Sequence, residues 1–170
     1  REHQGLNGSI TGIADMTPEY PDLTGARMPY RYLDDIATAD AAFEATGETL
    51  EALFSASADA LTGIMTAHPA DIDPVETVTV ECAADSPDML LFRFLGELVY
   101  LKDARKLLLR AADIRITEEN GGYFLSSVMR GEEIDSAKHR MIVDVKAITL
   151  HRLKVEEHDG VWTATVVADV

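Results

Sequence analysis

The sequence predicts an α+β fold in which a mostly antiparallel β-sheet or sandwich packs against two α-helices. Two segments, residues 48–66 and 85–103, have apolar residues at the spacing of a helix with one buried face. The other apolar segments are short, and turn residues separate them. The late segments are joined by short turns, so they pair as antiparallel strands. Strands and two helices in this order indicate the α+β class.

The first half of the chain predicts two strands and then the first helix. The strands are "MPYRYL" at residues 28–33, with Pro29 near its start where a strand tolerates proline, and "AAFEA" at residues 41–45. The acid-rich stretch "DDIATAD" connects them. The helix follows over residues 48–66, and Thr49 is placed to cap its start.

The middle of the chain predicts a strand and the second helix. "HPADIDP" interrupts the first helical pattern, and "VETVTVEC" at residues 75–82 alternates as a strand. Ser86 stands at the N-cap position of the second helix, and Pro87 fits its first turn. Apolar residues cover one broad face of this helix, so we expect it to be well buried.

The last third predicts a run of strands that ends with the chain. "LLLRAADIRI" and "YFLSSVMRG" are strands joined by the hairpin signal "ENGG". "IDSAKHRM", residues 134–141, is a polar connecting segment after them. "IVDVKAITLHRLKVEE", residues 142–157, indicates a long strand or a bent strand pair. "HDG" is a turn, and "VWTATVVADV" at residues 161–170 closes the fold.

Length and pattern divide the chain into a tail and one domain. Residues 1–27 have no sustained period, and we interpret them as a flexible tail, an expression remnant or an over-long gene start. Residues 28–170 are predicted to form a single domain. The first residues lack the apolar region of a signal peptide, and no apolar run is long enough to span a membrane.

The charge balance restricts the class of partner. Asp and Glu number 30 against 15 Lys and Arg, for a net charge of −15. A protein that binds the nucleic-acid backbone directly is normally basic, so we expect no direct nucleic-acid binding but a protein partner or a cation. A general solubility role for the acidic residues remains open. Cys82 is the only cysteine, which excludes an internal disulfide and favours a cytoplasmic location; we interpret it as structural, with a reactive thiol as the alternative.

Familiar catalytic motifs are absent, and carboxylates remain as the candidate chemistry. The sequence has no phosphate-binding glycine loop, no zinc-ligand spacing and no G-x-S-x-G motif. Asp34, Asp35 and Asp40 lie in one short connection, and Asp169 and the backbone oxygens of its neighbours lie at the end of the last strand. Hard cations such as calcium bind such oxygen groups, although a solvated acidic surface would show the same pattern.

A lysine and two histidines stand out in the segment before the last strands. Lys146 interrupts the apolar run "IVDVKAITL". It is either an outward-facing lysine that protects an edge strand or an ammonium held near the carboxylates. His139 and His151 flank this run, and each is either a hydrogen-bonded structural residue or a ligand or base.

Four ordered motifs together resemble the archease family. They are Thr-Ala-Asp ending at Asp40, "FLGELVYL" in the second helix, a histidine before "DVKAIT", and an Asp beside the last residue. The resemblance covers residues 28–170. Three features depart from the usual family pattern. "ATAD" replaces "HTAD", and the connection has two extra residues, so that Asp35 takes up part of the space of the histidine. Asp144 replaces a glutamate, and Phe94 replaces a tryptophan.

The resemblance implies an archease-like fold and an accessory function rather than an enzyme activity. Archeases are small cytosolic proteins that activate the RtcB-type tRNA-splicing ligase, which uses GTP and divalent metal to guanylylate its own histidine. Carried over by position, Asp40, Asp169 and a backbone oxygen of Val170 would bind calcium or a similar divalent cation. Lys146 matches a lysine tied to activation of the partner.

These residues lead to one structural hypothesis and two competing functions. We expect Asp40, Lys146 and Asp169 to meet in one place, the acidic tip, which requires the strand after Asp40 to lie beside the last strand. A general chaperone or protein-binding module would not depend on the acidic tip. A metal-dependent hydrolase would need a positioned base, for which the sequence shows no recognisable constellation.

Overall fold

A computed structural model describes residues 29–33 and 40–170. Over these residues the chain forms eight β-strands, two α-helices and a short 3₁₀ helix at Pro69–Asp71. The strands and helices in chain order are β1 Tyr30–Tyr32, β2 Asp40–Gly47, α1 Leu50–Met65, β3 Glu76–Ala84, α2 Pro87–Arg105, β4 Leu107–Glu119, β5 Gly122–Glu133, β6 Ala147–Ile148, β7 Lys154–His158 and β8 Val161–Asp169. The predicted extension at residues 1–27 and the predicted sites Asp34 and Asp35 lie outside the described residues.

The strands form two antiparallel sheets. One has the order β1-β2-β8-β6, and β7 also pairs with β8. The other has the order β3-β5-β4. This confirms the predicted α+β class with antiparallel strands and two helices.

Two tight hairpins have the turn chemistry that the sequence predicts. Asn120 and Gly121 join β4 to β5 with φ values of 52° and 76°. Asp159 and Gly160 join β7 to β8 with φ values of 51° and 77°. Positive φ at both central residues is the type I′ geometry, which matches the twist of the paired strands.

Both helices begin where the sequence predicts, but only one is capped as expected. The Thr49 hydroxyl oxygen accepts a hydrogen bond from the Ala52 N–H at 3.0 Å, which satisfies one of the free donors at the start of α1. Ser86 is the N-cap residue of α2, with Pro87 in the first turn. The Ser86 hydroxyl instead donates to the Asp88 carboxylate, so it makes no cap to a helix N–H.

The helices bridge the two sheets around one core. Helix α1 packs against β1, β2 and β8 of the first sheet and against β4 of the second, and α2 packs against β3, β4 and β5 as well as β6. The rings of Phe54 and Phe94 stack where the helices meet, with centroids 5.8 Å apart. Both rings are fully buried. No helix in the described part of the chain is long and apolar enough to cross a membrane.

The prediction of a long strand or strand pair over residues 142–157 is wrong for residues 142–146 and for residues 149–153 between the two strands. Only Ala147–Ile148 and Lys154–His158 are strands there. The backbone before β6 hydrogen-bonds to other elements: the Ile142 N–H donates to the Met65 carbonyl at 2.9 Å, and the Val145 carbonyl accepts from Lys102 Nζ at 2.5 Å. These bonds replace the ladder that an extended apolar pattern would otherwise suggest.

Candidate functional site

Asp40 and Asp169 lie directly opposite one another in the first sheet. Asp40 is the first residue of β2, Asp169 is the last of β8, and the antiparallel register pairs them. Both residues are half-buried. Residues opposite one another have Cβ atoms ~4.5–5.5 Å apart, and two like charges there destabilise the pair. The pair therefore favours a positive charge nearby.

Lys146 reaches the same place from the other side of β8. Ala147, the first residue of β6, pairs with Asp169, and the Lys146 N–H donates to the Asp169 carbonyl at 2.8 Å. Lys146 is exposed and lies just before the edge strand β6. The backbones of Asp40 in β2, Asp169 in β8 and Lys146 just before β6 thus lie side by side, although these residues are far apart in the sequence.

The donor atoms of the acidic tip suit a hard cation. Two residues that carry carboxylates are paired in the sheet, and half-buried Val170 adds a backbone oxygen next to Asp169. Calcium takes six to eight oxygen ligands and mixes carboxylates with backbone carbonyls and water. Within residues 29–33 and 40–170, no group of three or more His, Cys, Asp and Glu side chains could hold a metal ion. The described part of the acidic tip therefore offers two carboxylates, and backbone oxygens or water would supply the other ligands.

A buried lysine, which the sequence motifs did not indicate, lies next to the acidic tip. Lys102 on α2 is only 3% exposed. Its Nζ donates to the Val145 carbonyl at 2.5 Å and forms ion pairs with Asp144 at 2.5 Å and with Asp103 at 2.8 Å. Lys102 thus contacts the residue just before Lys146. A signal existed, because Lys102 follows Phe94 and Leu98 at four-residue spacing on the buried face of the helix.

The charges of this cluster stabilise one another. Burial alone would lower the pKa of Lys102, but hydrogen bonds to Asp103 and Asp144 outweigh it and raise that pKa. The hydrogen bond from Lys102 holds the pKa of Asp144 below its usual value, and Lys106 and Lys146 act in the same direction. The contact between Lys102 and Asp144 therefore favours the charged form of both side chains.

The two histidines have different environments. His139 is buried, and its Nδ1 accepts from the Asp135 N–H at 3.0 Å while its Nε2 lies 2.8 Å from a Glu132 oxygen. Since Nδ1 accepts, Nε2 carries the proton and donates to Glu132. His139 is therefore a hydrogen-bonded structural residue. His151 is exposed in the turn between β6 and β7, away from the paired carboxylates at the other end of β6.

Cys82 fits the structural interpretation. It is half-buried on β3, in the sheet that does not contain the acidic tip. Burial, together with the nearby Glu97 carboxylate, raises its thiol pKa to about 11. The thiol is therefore protonated at neutral pH and is a poor nucleophile.

The fold and the acidic tip define a class of small α+β protein in which two helices bridge antiparallel sheets and paired strand ends carry carboxylates. The model of the Archease protein family matches residues 30–170. The archease of Pyrococcus furiosus is 35% identical over 134 residues, which cover 78% of this chain and 94% of that protein. The chain belongs to the archease family.

Solved structures have the same fold. Protein 1598 of Methanobacterium thermoautotrophicum, determined in solution, superposes with a TM-score of 0.74 and 30% identity, over 85% of this chain and all of that one. The crystal structure of a Thermotoga maritima protein described as an archease and possible chaperone has a TM-score of 0.50 and 23% identity, over 79% of this chain and 93% of that one. The second likeness extends to the fold alone.

Proposed function

We propose that this protein activates an RtcB-type tRNA-splicing RNA ligase by promoting its GTP-dependent guanylylation and its multiple turnover. It acts as an accessory protein in the cytoplasm and does not join RNA itself. The observation that carries the proposal is the pairing of Asp40 with Asp169 in the first sheet, together with the hydrogen bond from the Lys146 N–H to the Asp169 carbonyl. Membership of the archease family supports the proposal; the choice of an RtcB-type ligase as partner is part of the proposal itself.

The residues of the acidic tip have separate roles in this proposal. Asp40, Asp169 and a backbone oxygen of Val170 hold calcium or a similar divalent cation. A bound cation neutralises the paired carboxylates and lets the strand ends approach an anionic group. Lys146, which is exposed, presents its ammonium to a phosphate of the partner's nucleotide.

The overall charge supports a protein partner rather than direct contact with RNA. A net charge of −15 repels phosphate, but it attracts the basic surface that an RNA-binding enzyme must have. Charge complementarity of this kind speeds the encounter between two proteins. The acidic tip then approaches the ligase as part of an acidic surface.

The first test removes the two carboxylates of the acidic tip one at a time. Asp40→Ala and Asp169→Ala should each weaken calcium binding by about tenfold or more, measured by titration calorimetry, because each removes a direct ligand. The same variants should lose most of the stimulation of ligase guanylylation, measured by transfer of labelled GMP to the ligase. Deletion of Asp169 and Val170 should abolish stimulation and leave most of the fold, judged by circular dichroism.

The matched control is Asp113→Ala, which removes an exposed carboxylate from β4 in the other sheet. It should bind calcium and stimulate the ligase as the unmodified protein does. Full stimulation by folded Asp40→Ala and Asp169→Ala proteins would overturn the proposal. Loss of stimulation in all three variants would show an effect of net charge and not of the acidic tip.

A general chaperone or binding module is the alternative function, and a metal-dependent hydrolase is a further one. If this protein is a general chaperone, its Asp169→Ala variant should suppress the aggregation of unrelated proteins as well as the unmodified protein does. A hydrolase would turn over substrate in the absence of any ligase. Both measurements use the same variants, so they separate these functions from activation of a ligase.

A further inference from the structure

One peptide unit links helix α2 to the acidic tip. The peptide between Val145 and Lys146 is hydrogen-bonded at both ends. Its carbonyl accepts from Lys102 Nζ at 2.5 Å, and its N–H donates to the Asp169 carbonyl at 2.8 Å. A single planar group therefore transmits the position of Lys102 to the last residues of β8.

The charge on Lys102 strengthens both of these bonds. Hydrogen bonds from an ammonium are shorter and stronger than those between neutral groups. A charged donor at the carbonyl polarises the peptide, which makes the N–H of the same peptide a better donor. The hydrogen bond from Lys146 to Asp169 is thus strengthened by Lys102, which donates to the carbonyl of the same peptide.

The lysine itself is held in one place. It is 3% exposed, and a buried ammonium without partners would be costly. Asp103, the next residue of α2, and Asp144 supply carboxylates at 2.8 Å and 2.5 Å. Both carboxylates are mostly exposed, so they bring charge to the ammonium while keeping contact with water.

Few other bonds hold β6 against the end of β8, which is itself paired with β2 along its opposite edge. The Thr149 N–H and hydroxyl donate to the Val167 carbonyl just after β6. Strand β6 contributes two paired residues, opposite Asp169 and Ala168, and residues 142–146 are not part of a strand. So short a ladder sets strand register weakly, and a slip by one residue would move every side chain to the other face. A bond from a rigid helix to the peptide just before the strand removes that freedom.

We propose that Lys102 is a positioning residue for the acidic tip. It holds the Val145–Lys146 peptide so that the Lys146 side chain and the Asp169 carboxylate keep their places relative to Asp40. The consequence for ligase activation rests on the function proposed above. The consequence for the geometry of the acidic tip does not.

The first measurement is hydrogen exchange of the Lys146 amide in the isolated protein. Lys102→Met keeps an unbranched side chain that is one atom shorter, and it removes the charge and the donors. The amide should exchange about tenfold faster or more, because loss of a charged hydrogen bond weakens the contact beyond that factor. Lys102→Arg keeps the charge with a different shape and should restore part of the protection.

The matched control is Ser127→Ala, which removes another buried donor. The Ser127 hydroxyl donates to the Val80 carbonyl at 3.1 Å within the second sheet. Its loss should lower overall stability without speeding exchange at Lys146 relative to the core amides. Unchanged protection of Lys146 in Lys102→Met would overturn the proposal. If Lys102→Met does not fold, Lys102→Arg decides: the proposal requires faster exchange than in the unmodified protein.

The second measurement is stimulation of ligase guanylylation over a range of protein concentrations. Lys102→Met should lower maximal stimulation by at least about fivefold, while Ser127→Ala keeps it. Full stimulation by Lys102→Met despite faster exchange would overturn the positioning role in activation and leave the proposed function intact. If the unmodified protein stimulates no ligase, the proposed function fails, and amide exchange alone then decides whether Lys102 positions the acidic tip.

Discussion

At the scale of single residues, Glu132 shows how buried and exposed charges cooperate. One of its carboxylate oxygens accepts from Lys138 Nζ at 2.6 Å, from His139 Nε2 at 2.8 Å and from the Asp73 N–H at 3.1 Å. The hydrogen bond from Lys138 is the main cause that lowers the pKa of Glu132 to about 2, with the Asp73 N–H next, against a smaller opposing effect of burial. Glu132 thus fixes the polar connecting segment, residues 134–141, to the end of β5.

This lowered pKa predicts an acid-dependent stability. The ordinary value of 4.5 lies above the folded value of about 2, so the ionised carboxylate stabilises the fold above pH 4.5. That contribution is lost as the pH falls from about 4.5 through about 2. Glu132→Gln should therefore lower the urea midpoint most at pH 7, and the difference from the unmodified protein should shrink toward pH 2.

The control for that series is Glu119→Gln, at the exposed end of β4. Its effect on the urea midpoint should be small at every pH. A Glu132→Gln difference that stays constant from pH 7 to pH 2.5 would contradict the assignment.

At the scale of elements, the two helix starts test what a cap contributes. Thr49 accepts a hydrogen bond from the Ala52 N–H, whereas Ser86 donates its hydroxyl to Asp88. Both residues match the N-cap pattern in the sequence, and the pattern located both helix starts correctly. It could not show which hydroxyl would cap, because a nearby carboxylate competes for the hydrogen of Ser86.

The caps should therefore differ in their effect on stability. Thr49→Ala should lower the free energy of unfolding by about 1 kcal/mol, the usual loss for a capping hydroxyl. Ser86→Ala should lower it by no more than about 0.5 kcal/mol, as for a surface substitution. Urea unfolding measures both. Equal losses would show that the Ser86 side chain caps α2 in solution.

The segment before β6 shows why an apolar pattern can mislead about strands. Residues 142–146 have the composition of a strand, but Ile142 bonds to α1 and the Val145 carbonyl to Lys102, and only the Lys146 N–H reaches β8. Composition indicates which residues prefer a half-buried, extended surface. It does not indicate which donors will reach their carbonyls.

At the scale of the whole molecule, the acidic tip lies at one end of the first sheet, and two helices bridge this sheet and the second. The protein that carries the acidic tip is strongly acidic as a whole. The net charge of −15 acts over distances comparable to the Debye length, which is ~10 Å at 0.1 M salt. The proposed encounter with a basic ligase surface should therefore weaken as salt rises.

The half-saturating concentration for ligase stimulation should rise by about tenfold between 50 mM and 500 mM salt, since charge steering raises association rates by tenfold or more. Maximal stimulation at saturation should change little, after the effect of salt on the ligase alone is subtracted. A half-saturating concentration that does not depend on salt would contradict a role of the net charge in docking.

Sequence patterns were enough to predict the antiparallel α+β class, the starts of both helices, the two glycine hairpins and the candidates Asp40, Lys146 and Asp169. Periodicity and turn chemistry are local, so they can be read along the chain. The tertiary structure alone decided that Asp40 faces Asp169 and that buried Lys102 bonds to the peptide before Lys146. Periodicity reports which face of an element is buried, but strand neighbours and the partners of a buried charge depend on how distant segments pack.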